Sequence, residues 1–375
     1  MSDFQEIKGS LISYFSNKVK KYGGVNLAQG IPGFSPPDEL VKILAEEINS
    51  PCHQYAPGLG NLLLREEIFK MYPELSSQTS LFITNGATEA ISLIYTYLNK
   101  INDNKLNALT FSPAYESYIH LPKIFDNKLI TIPTEKNTFL NKELLKEKVK
   151  SNNINLIFLA SPGNPYGRIL PEDEFKFLLD FCNTNEIYLI IDAVYKDLYV
   201  DTKPYYPTDA ISEYIFYTNS FSKKFSITGW RIGYFFCHNS HHDDISYIHD
   251  YIGLSSPSPL QQALAIYLKT CNYSKYISNI KRIILNNINL CMDSLNKNGF
   301  ECTNVDGGYF VWAKLPEKYP DGLDFGLKLY ENFKTAIIPG QHFGEEWKQY
   351  IRINVARDEK ELRKGVENII TMVNV

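Results

Sequence analysis

A chain of 375 residues is roughly two and a half times an ordinary domain of about 150, so two lobes, or one large domain with an appendage, are predicted. Its 38 basic and 42 acidic residues leave a net charge of −4, with 21% charged and 44% hydrophobic residues, which gives neither nucleic acid nor an anionic membrane an electrostatic claim as main partner. With 21 Gly and 19 Pro the chain is also far from fibrous or disordered composition.

The N-terminus, MSDFQEIKGSLISYF, mixes acidic and polar residues where a secretory signal needs an unbroken apolar run. No stretch reaches the roughly 18 apolar residues of a spanning helix. The six cysteines, Cys52, Cys182, Cys237, Cys271, Cys291 and Cys302, form no CxxC pair, which suits reduced thiols and predicts a cytoplasmic protein. Cys182 and Cys237 lie in apolar runs and read as small packed hydrophobes. Residues 1 to 45 offer a polar helix candidate and the turn-rich GIPGFSPPDEL.

From there the chain alternates short β-rich runs with helical periods, the pattern of an α/β fold with a mostly parallel sheet covered by helices. Candidate strands are Leu81 to Thr84, Ala108 to Phe111, Leu156 to Ala160, Tyr188 to Asp192, Tyr214 to Asn219 and Ile232 to Cys237. Within Ala87 to Lys100, Ala90, Leu93, Ile94 and Tyr97 fall on one apolar helical face. Glu172 to Asn183 repeats the arrangement, with Pro171 suited to a helix's first position. After about residue 275 come helices and GGYFVWAKL, a strand candidate introduced by two glycines. The predicted division is a large domain over 46–275 and a smaller α+β domain from both chain ends, 1–45 and 276–375.

Chemistry-bearing residues gather where predicted strands end. SFSKKFSITGWRIG, from Ser220 to Gly233, holds hydroxyls, two lysines and an arginine, and fits an anion pocket or an ordinary basic loop. Asp192 closes an apolar strand, where a carboxylate either faces a cationic ring nitrogen or metal or caps the next helix; Tyr195 follows three residues on. Asn164 lies in SPGNPYG after another strand. TNGATEA, from Thr84 to Ala90, brings small residues to a helix start, which fits an anion seat or a simple Asn-Gly turn. Together these supply what pyridoxal phosphate requires: a phosphate seat, a lysine for its aldehyde, an acid for its ring nitrogen and donors for its phenolic oxygen. The run His238 to Asp244 is a rival metal candidate by spacing, but reads as a solvated turn, and no metal site is assigned.

These residues resemble the class I/II aminotransferases, of pyridoxal-phosphate fold type I. The likeness is most specific in SFSKKFSITGWRIGY, similar to that family's Ser-x-Ser-Lys followed by Gly-x-Arg-x-Gly, and runs from LAQGIPGF to YIRINVA. Gly229 and Arg231 stand at the family's offsets from Lys223, so the resemblance makes Lys223, not Lys224, the imine-forming lysine. It implies phosphate ligands at Ser220, Arg231 and the backbone of Ala87 and Thr88. Asp192 would face the pyridine nitrogen, Asn164 and Tyr195 the phenolic oxygen, and Tyr115 the cofactor ring. Arg352 would clamp the substrate carboxylate, Gly30 let the backbone approach the substrate, and Tyr55 reach the phosphate of a neighbouring subunit in a homodimer.

Some positions depart from the family. The acid motif reads Asp-Ala where many relatives have Asp-Glu, and the asparagine motif lacks its first Asn; neither removes a cofactor contact. Aspartate-using members carry a second arginine six residues before the proline that corresponds to Pro257, where this chain has Tyr251. That substitution, the many aromatics and the likeness of LAQGIPGF to the branch handling methionine, glutamine and kynurenine point to a neutral donor, methionine-like or aromatic. The alternatives are β-elimination from a cystathionine-like substrate and an aspartate-type aminotransferase. A sensor of the transcription-regulator kind is disfavoured, because 45 residues before the sheet leave no room for a DNA-binding domain.

Overall fold

The computed structural model describes residues 9–134, 139–206 and 208–374. The segment that argues against a secretory signal therefore lies largely outside the described residues. In chain order the strands are β1 (Val25–Asn26), β2 (Thr79–Thr84), β3 (Asn107–Ser112), β4 (Lys128–Pro133), β5 (Leu156–Ala160), β6 (Tyr188–Asp192), β7 (Ile215–Ser220), β8 (Gly233–His238), β9 (Glu301–Cys302), β10 (Phe310–Lys314), β11 (Thr335–Ala336), β12 (Ile338–Pro339) and β13 (Tyr350–Asn354).

Seven of them form one sheet in the order β2-β8-β7-β6-β5-β3-β4. Only β8 runs against its neighbours; the remaining adjacent pairs are parallel. All six anticipated strands are present, and β4 is an addition. Helices cover both faces, so successive side chains are buried on opposite sides: Leu81 and Ile83 join one apolar cluster while Phe82 joins the other and stacks on Phe235. Burying one such phenylalanine contributes about 2 kcal/mol.

The helix Ala87–Ile101 buries Ala90, Leu93, Ile94 and Tyr97, the face read from its period. In the helix Glu172–Thr184, Pro171 is the N-cap rather than the first helical residue, because its extended ψ of 148° precedes the first turn.

The other strands pair as two small sheets, β12-β13-β10-β9 and β1-β11, and GGYFVWAKL supplies β10. Their side chains share clusters with the helices Leu11–Tyr22, Ser274–Asn296, Gly322–Phe333 and Glu359–Asn374. Residue 45 falls inside the helix Asp38–Glu47, whose Leu40 packs in the core of the large sheet. Among the described residues no helix is long and apolar enough to cross a membrane.

Candidate active site

The carboxyl ends of the parallel strands meet at one edge of the large sheet. Cross-strand pairing puts Ala160 beside Asp192 and Asp192 beside Thr218, while Gly233 pairs with both Ser220 and Thr84. Loops leaving these ends line a cavity of about 260 Å³. Gly30, Ala87, Thr88, Tyr115, Asn164, Asp192, Tyr195, Ser220, Lys223, Arg231 and Arg352 all line it, so eleven of the twelve site residues predicted from sequence converge.

The candidate anion seat depends on two glycines. A Cβ on Gly233 would stand 2.4 Å from the Gly86 carbonyl carbon, so only glycine lets β8 start so close beneath the helix N-terminus. Gly86, at φ +81°, turns the chain into that helix, and a Cβ there would meet Arg231 Nη2 at 2.6 Å. Arg231 donates through Nη2 to the Asn85 carbonyl oxygen at 3.0 Å and through Nη1 to that of Thr228 at 3.1 Å. The guanidinium is thereby fixed beside the helix N-terminus. Ser220 Oγ accepts from the Ser222 N–H at 3.2 Å, and the buried Ser222 Oγ has no hydrogen-bond partner among the described residues. A buried hydroxyl left unpaired is costly, and a multi-oxygen anion would satisfy it.

Lys223 Nζ donates to the Gly30 carbonyl oxygen at 2.8 Å and lies 6.0 Å from the Tyr195 ring centre. Burial, with Arg352 and Arg231 nearby, lowers its pKa to about 8. Lys224 faces elsewhere, 3.3 Å from Asp197 Oδ2 and 4.6 Å from the Tyr273 ring centre. Burial alone would lower its pKa, but Asp197, together with Tyr273 and Tyr72, outweighs that and raises it. Adjacent lysines thus sit in opposite surroundings, one a buried amine with a lowered pKa and the other a held cation.

Asp192 accepts from the Tyr118 hydroxyl at 2.6 Å and from the Val194 N–H at 3.1 Å. Burial nevertheless pushes its pKa up, the state a cationic ring N–H would relieve. Tyr195 is buried edge-on against Tyr309 and Phe310. Tyr115 caps the helix Glu116–Ile124 and meets Tyr118 edge-on, while Tyr118 stacks on Phe158.

Arg352, on β13, is fully buried. Its Nη1 donates to Asn164 Oδ1 at 2.9 Å, its Nη2 donates to the Ala28 carbonyl oxygen, and its guanidinium lies 4.3 Å from the Phe310 ring centre. Burial lowers its pKa only to about 10, so it stays cationic, and its Nε has no partner among the described residues. A carboxylate answers that geometry. A Cβ on Gly30 would stand 3.4 Å from Phe310 and 3.8 Å from Arg352 Nη1, filling the approach.

Tyr55 is the predicted residue not brought in. It is 83% exposed and lines a separate depression with Asn85, Ser256 and Pro257. Tyr251 is likewise on the surface, against Tyr247. The segment from His238 to Asp244 is not simply a solvated turn: His241 points inward, bonded to the Tyr97 hydroxyl and the Glu213 carbonyl oxygen. No metal-holding group of His, Cys, Asp or Glu occurs among the described residues.

Sequence reasoning missed Tyr118, Glu116, Ser222 and Tyr309, which also bonds the Gly30 carbonyl oxygen. Tyr118 stands one helical turn after Tyr115, and Ser222 lies inside the lysine motif. Nothing local marks the other two.

The model of aminotransferase class I and II matches residues 22–369. A probable aspartate aminotransferase of Methanocaldococcus jannaschii is 26% identical over 91% of this chain and 91% of its own. Aromatic-amino-acid aminotransferase 2 of Thermococcus litoralis is 24% identical over 92% and 91%. Among solved structures, a double mutant of Thermus thermophilus aspartate aminotransferase superposes with a TM-score of 0.88 at 21% identity, covering 99% of this chain and 100% of that one. Escherichia coli YbdL, described as having a methionine aminotransferase function, gives a TM-score of 0.85 at 23% identity over 99% of each chain. The chain belongs to the class I and II aminotransferases and has their fold. Its reaction class is transfer of an amino group between an amino acid and a 2-oxo acid.

Proposed function

We propose that this chain moves an amino group from a neutral L-amino acid, methionine-like or aromatic, to a 2-oxo acid, using pyridoxal 5'-phosphate carried on Lys223. The observation that carries the reading is the Lys223 amine, lowered to about 8 inside a cavity that also presents Asp192, Arg231 and Arg352. Bound there, the cofactor supplies an aldehyde that an amine can hold and a ring that accepts electron density while its nitrogen is protonated.

The chain's residues then divide the work. Arg231, Ser220, Ser222 and the Ala87 and Thr88 backbone hold the phosphate at the helix N-terminus. Asp192 would keep a ring N–H protonated, Asn164 and Tyr195 would donate to the phenolic oxygen, and Tyr115 would pack on the ring. Arg352 would orient the substrate by its α-carboxylate, and the Lys223 amine would move the substrate's α-proton as general base.

The neutral-donor reading rests on Tyr251 in place of an arginine. Relatives named for aspartate make the aspartate-type reaction the competing reading. Two chains pair with shared sites, Tyr55 of each reaching the other's phosphate, and the protein works in the cytoplasm. The chain divides into the two predicted lobes, with the first boundary moved ahead of the helix Asp38–Glu47 because Leu40 packs with the large sheet.

The test is to load the purified protein with the cofactor and add amino acids singly. Methionine or an aromatic amino acid should bleach the visible band and yield its 2-oxo acid. Faster bleaching by aspartate overturns the substrate assignment, and ammonia with pyruvate released in the absence of an acceptor indicates elimination instead.

A further inference from the structure

One charged group in the Lys223 cavity has no part in the chemistry above. Glu116 stands on the first turn of the helix Glu116–Ile124, beside Tyr115, and lines the cavity with the apolar side chains of Ile12 and Ile31. Its Oε2 accepts from Ser10 Oγ at 2.8 Å and lies 3.1 Å from His342 Nε2. Ser10 caps the helix Leu11–Tyr22, and His342 lies in the turn Gly340–Phe343 that follows β12. Three distant parts of the chain therefore meet at this carboxylate, which Ser10 holds by a hydrogen bond and His342 by an ion-pair contact without a hydrogen bond.

Only one oxygen is used in that junction. Oε1 has no hydrogen bond among the described residues, and 24% of the side chain remains accessible. Burial alone would raise its pKa, but His342 and Ser10 outweigh that and hold it below the ordinary carboxylate value, so it is ionised at neutral pH. Its charge also reaches Arg352, favouring the protonated guanidinium, and both side chains line the same cavity.

We infer that Glu116 is a specificity-determining residue: it excludes amino acids and 2-oxo acids bearing a second carboxylate, and admits neutral side chains, favouring those that end in an N–H or O–H donor. The physical ground is negative selection. A fixed anion in a confined chamber leaves a second carboxylate facing like charge, whereas an amide, indole or phenol gains an acceptor. The same wall acts on both halves of a transamination, so the preferred acceptor is a monocarboxylic 2-oxo acid. This inference rests on the aminotransferase reading, with the substrate α-carboxylate on Arg352.

Two unreactive probes of similar length, glutarate and pentanoate, separate this from catalysis. Their affinities for the cofactor-loaded protein are measured by titration calorimetry for the native chain, Glu116→Gln and Glu116→Asp. The native protein should bind pentanoate more tightly; tighter glutarate binding overturns the inference without any variant. In Glu116→Gln the glutarate-to-pentanoate affinity ratio should rise on the order of tenfold or more, while Glu116→Asp keeps the native ratio. The kcat/KM ratio of glutamate to glutamine should shift the same way. An unchanged ratio in Glu116→Gln, or equal weakening of both probes, reduces Glu116 to a structural tie and overturns the inference. Native discrimination between the probes in a protein that transfers no amino group overturns the proposed function instead, and leaves the role of Glu116 standing.

Discussion

The amine of Lys223 and the carbonyl oxygen of Gly30 meet at 2.8 Å, joining the end of β7 to a segment near the N-terminus, 193 residues away in sequence. One N–H is spent on that carbonyl while the lone pair of a neutral amine stays available for an aldehyde. With a pKa of about 8, the amine is mostly protonated at pH 7 and mostly free at pH 9. Capture of the cofactor by protein freed of it should therefore accelerate with rising pH, with a midpoint near 8. Stopped-flow absorbance checks this, and a midpoint above pH 10 would mean that the amine is not perturbed.

The same depression carries a stability cost. The folded state gives up the Lys223 proton near pH 8 while the unfolded chain keeps it to about 10.5, so the folded form is disfavoured below pH 8 and relieved as pH rises between these values. At one pKa unit per 1.36 kcal/mol, the cost is on the order of 3 kcal/mol at neutral pH. Cofactor-free Lys223→Met protein should melt above the cofactor-free native chain at pH 7, by a margin that shrinks toward pH 10. Calorimetric melting at the two pH values measures it.

Tyr118 sets how Asp192 is held. Replacing it with phenylalanine removes the 2.6 Å donor from a carboxylate that burial already pushes up, so the Asp192 pKa rises further. Because the role proposed for Asp192 needs its ionised form, the acid limb of the pH–rate profile should move to higher pH. Turnover at pH 7 should fall by roughly 10- to 100-fold, the worth of a hydrogen bond to a charged group. A profile that keeps its acid limb would leave Tyr118 with a packing role alone.

Tyr55 is 83% exposed within one chain, and its proposed place is a partner's site. Tyr55→Phe should weaken cofactor binding about tenfold or more. Mixing Tyr55→Phe chains with Lys223→Ala chains should then restore tight binding at one site per hybrid pair, since that site combines an intact lysine with an intact tyrosine. Binding no tighter than in Tyr55→Phe protein alone would contradict sharing between subunits.

The sheet was largely legible because its strands are buried on both faces and read as unbroken apolar runs, as LIFLA and YLIID do. β4 escaped notice because it is an edge strand whose KLITIP is mostly half-buried or exposed, which dilutes the apolar signal. Ser220, Lys223 and Arg231 were visible because one short loop carries all three. Glu116 and Tyr309 were not, since their importance comes from contacts with Ser10, His342 and Gly30, far away in sequence. The histidine run, read as a solvated turn, is only partly so: His241 turns inward to Tyr97, which no local pattern announces.

The most direct measurement is borohydride reduction of the cofactor-loaded protein, followed by proteolysis and mass mapping of the adduct. Lys223, whose amine is lowered to about 8, should carry the pyridoxyl group, and Lys224, held by Asp197, should remain unmodified. An adduct at Lys224, or none at either lysine in protein supplied with ample cofactor, would contradict the account.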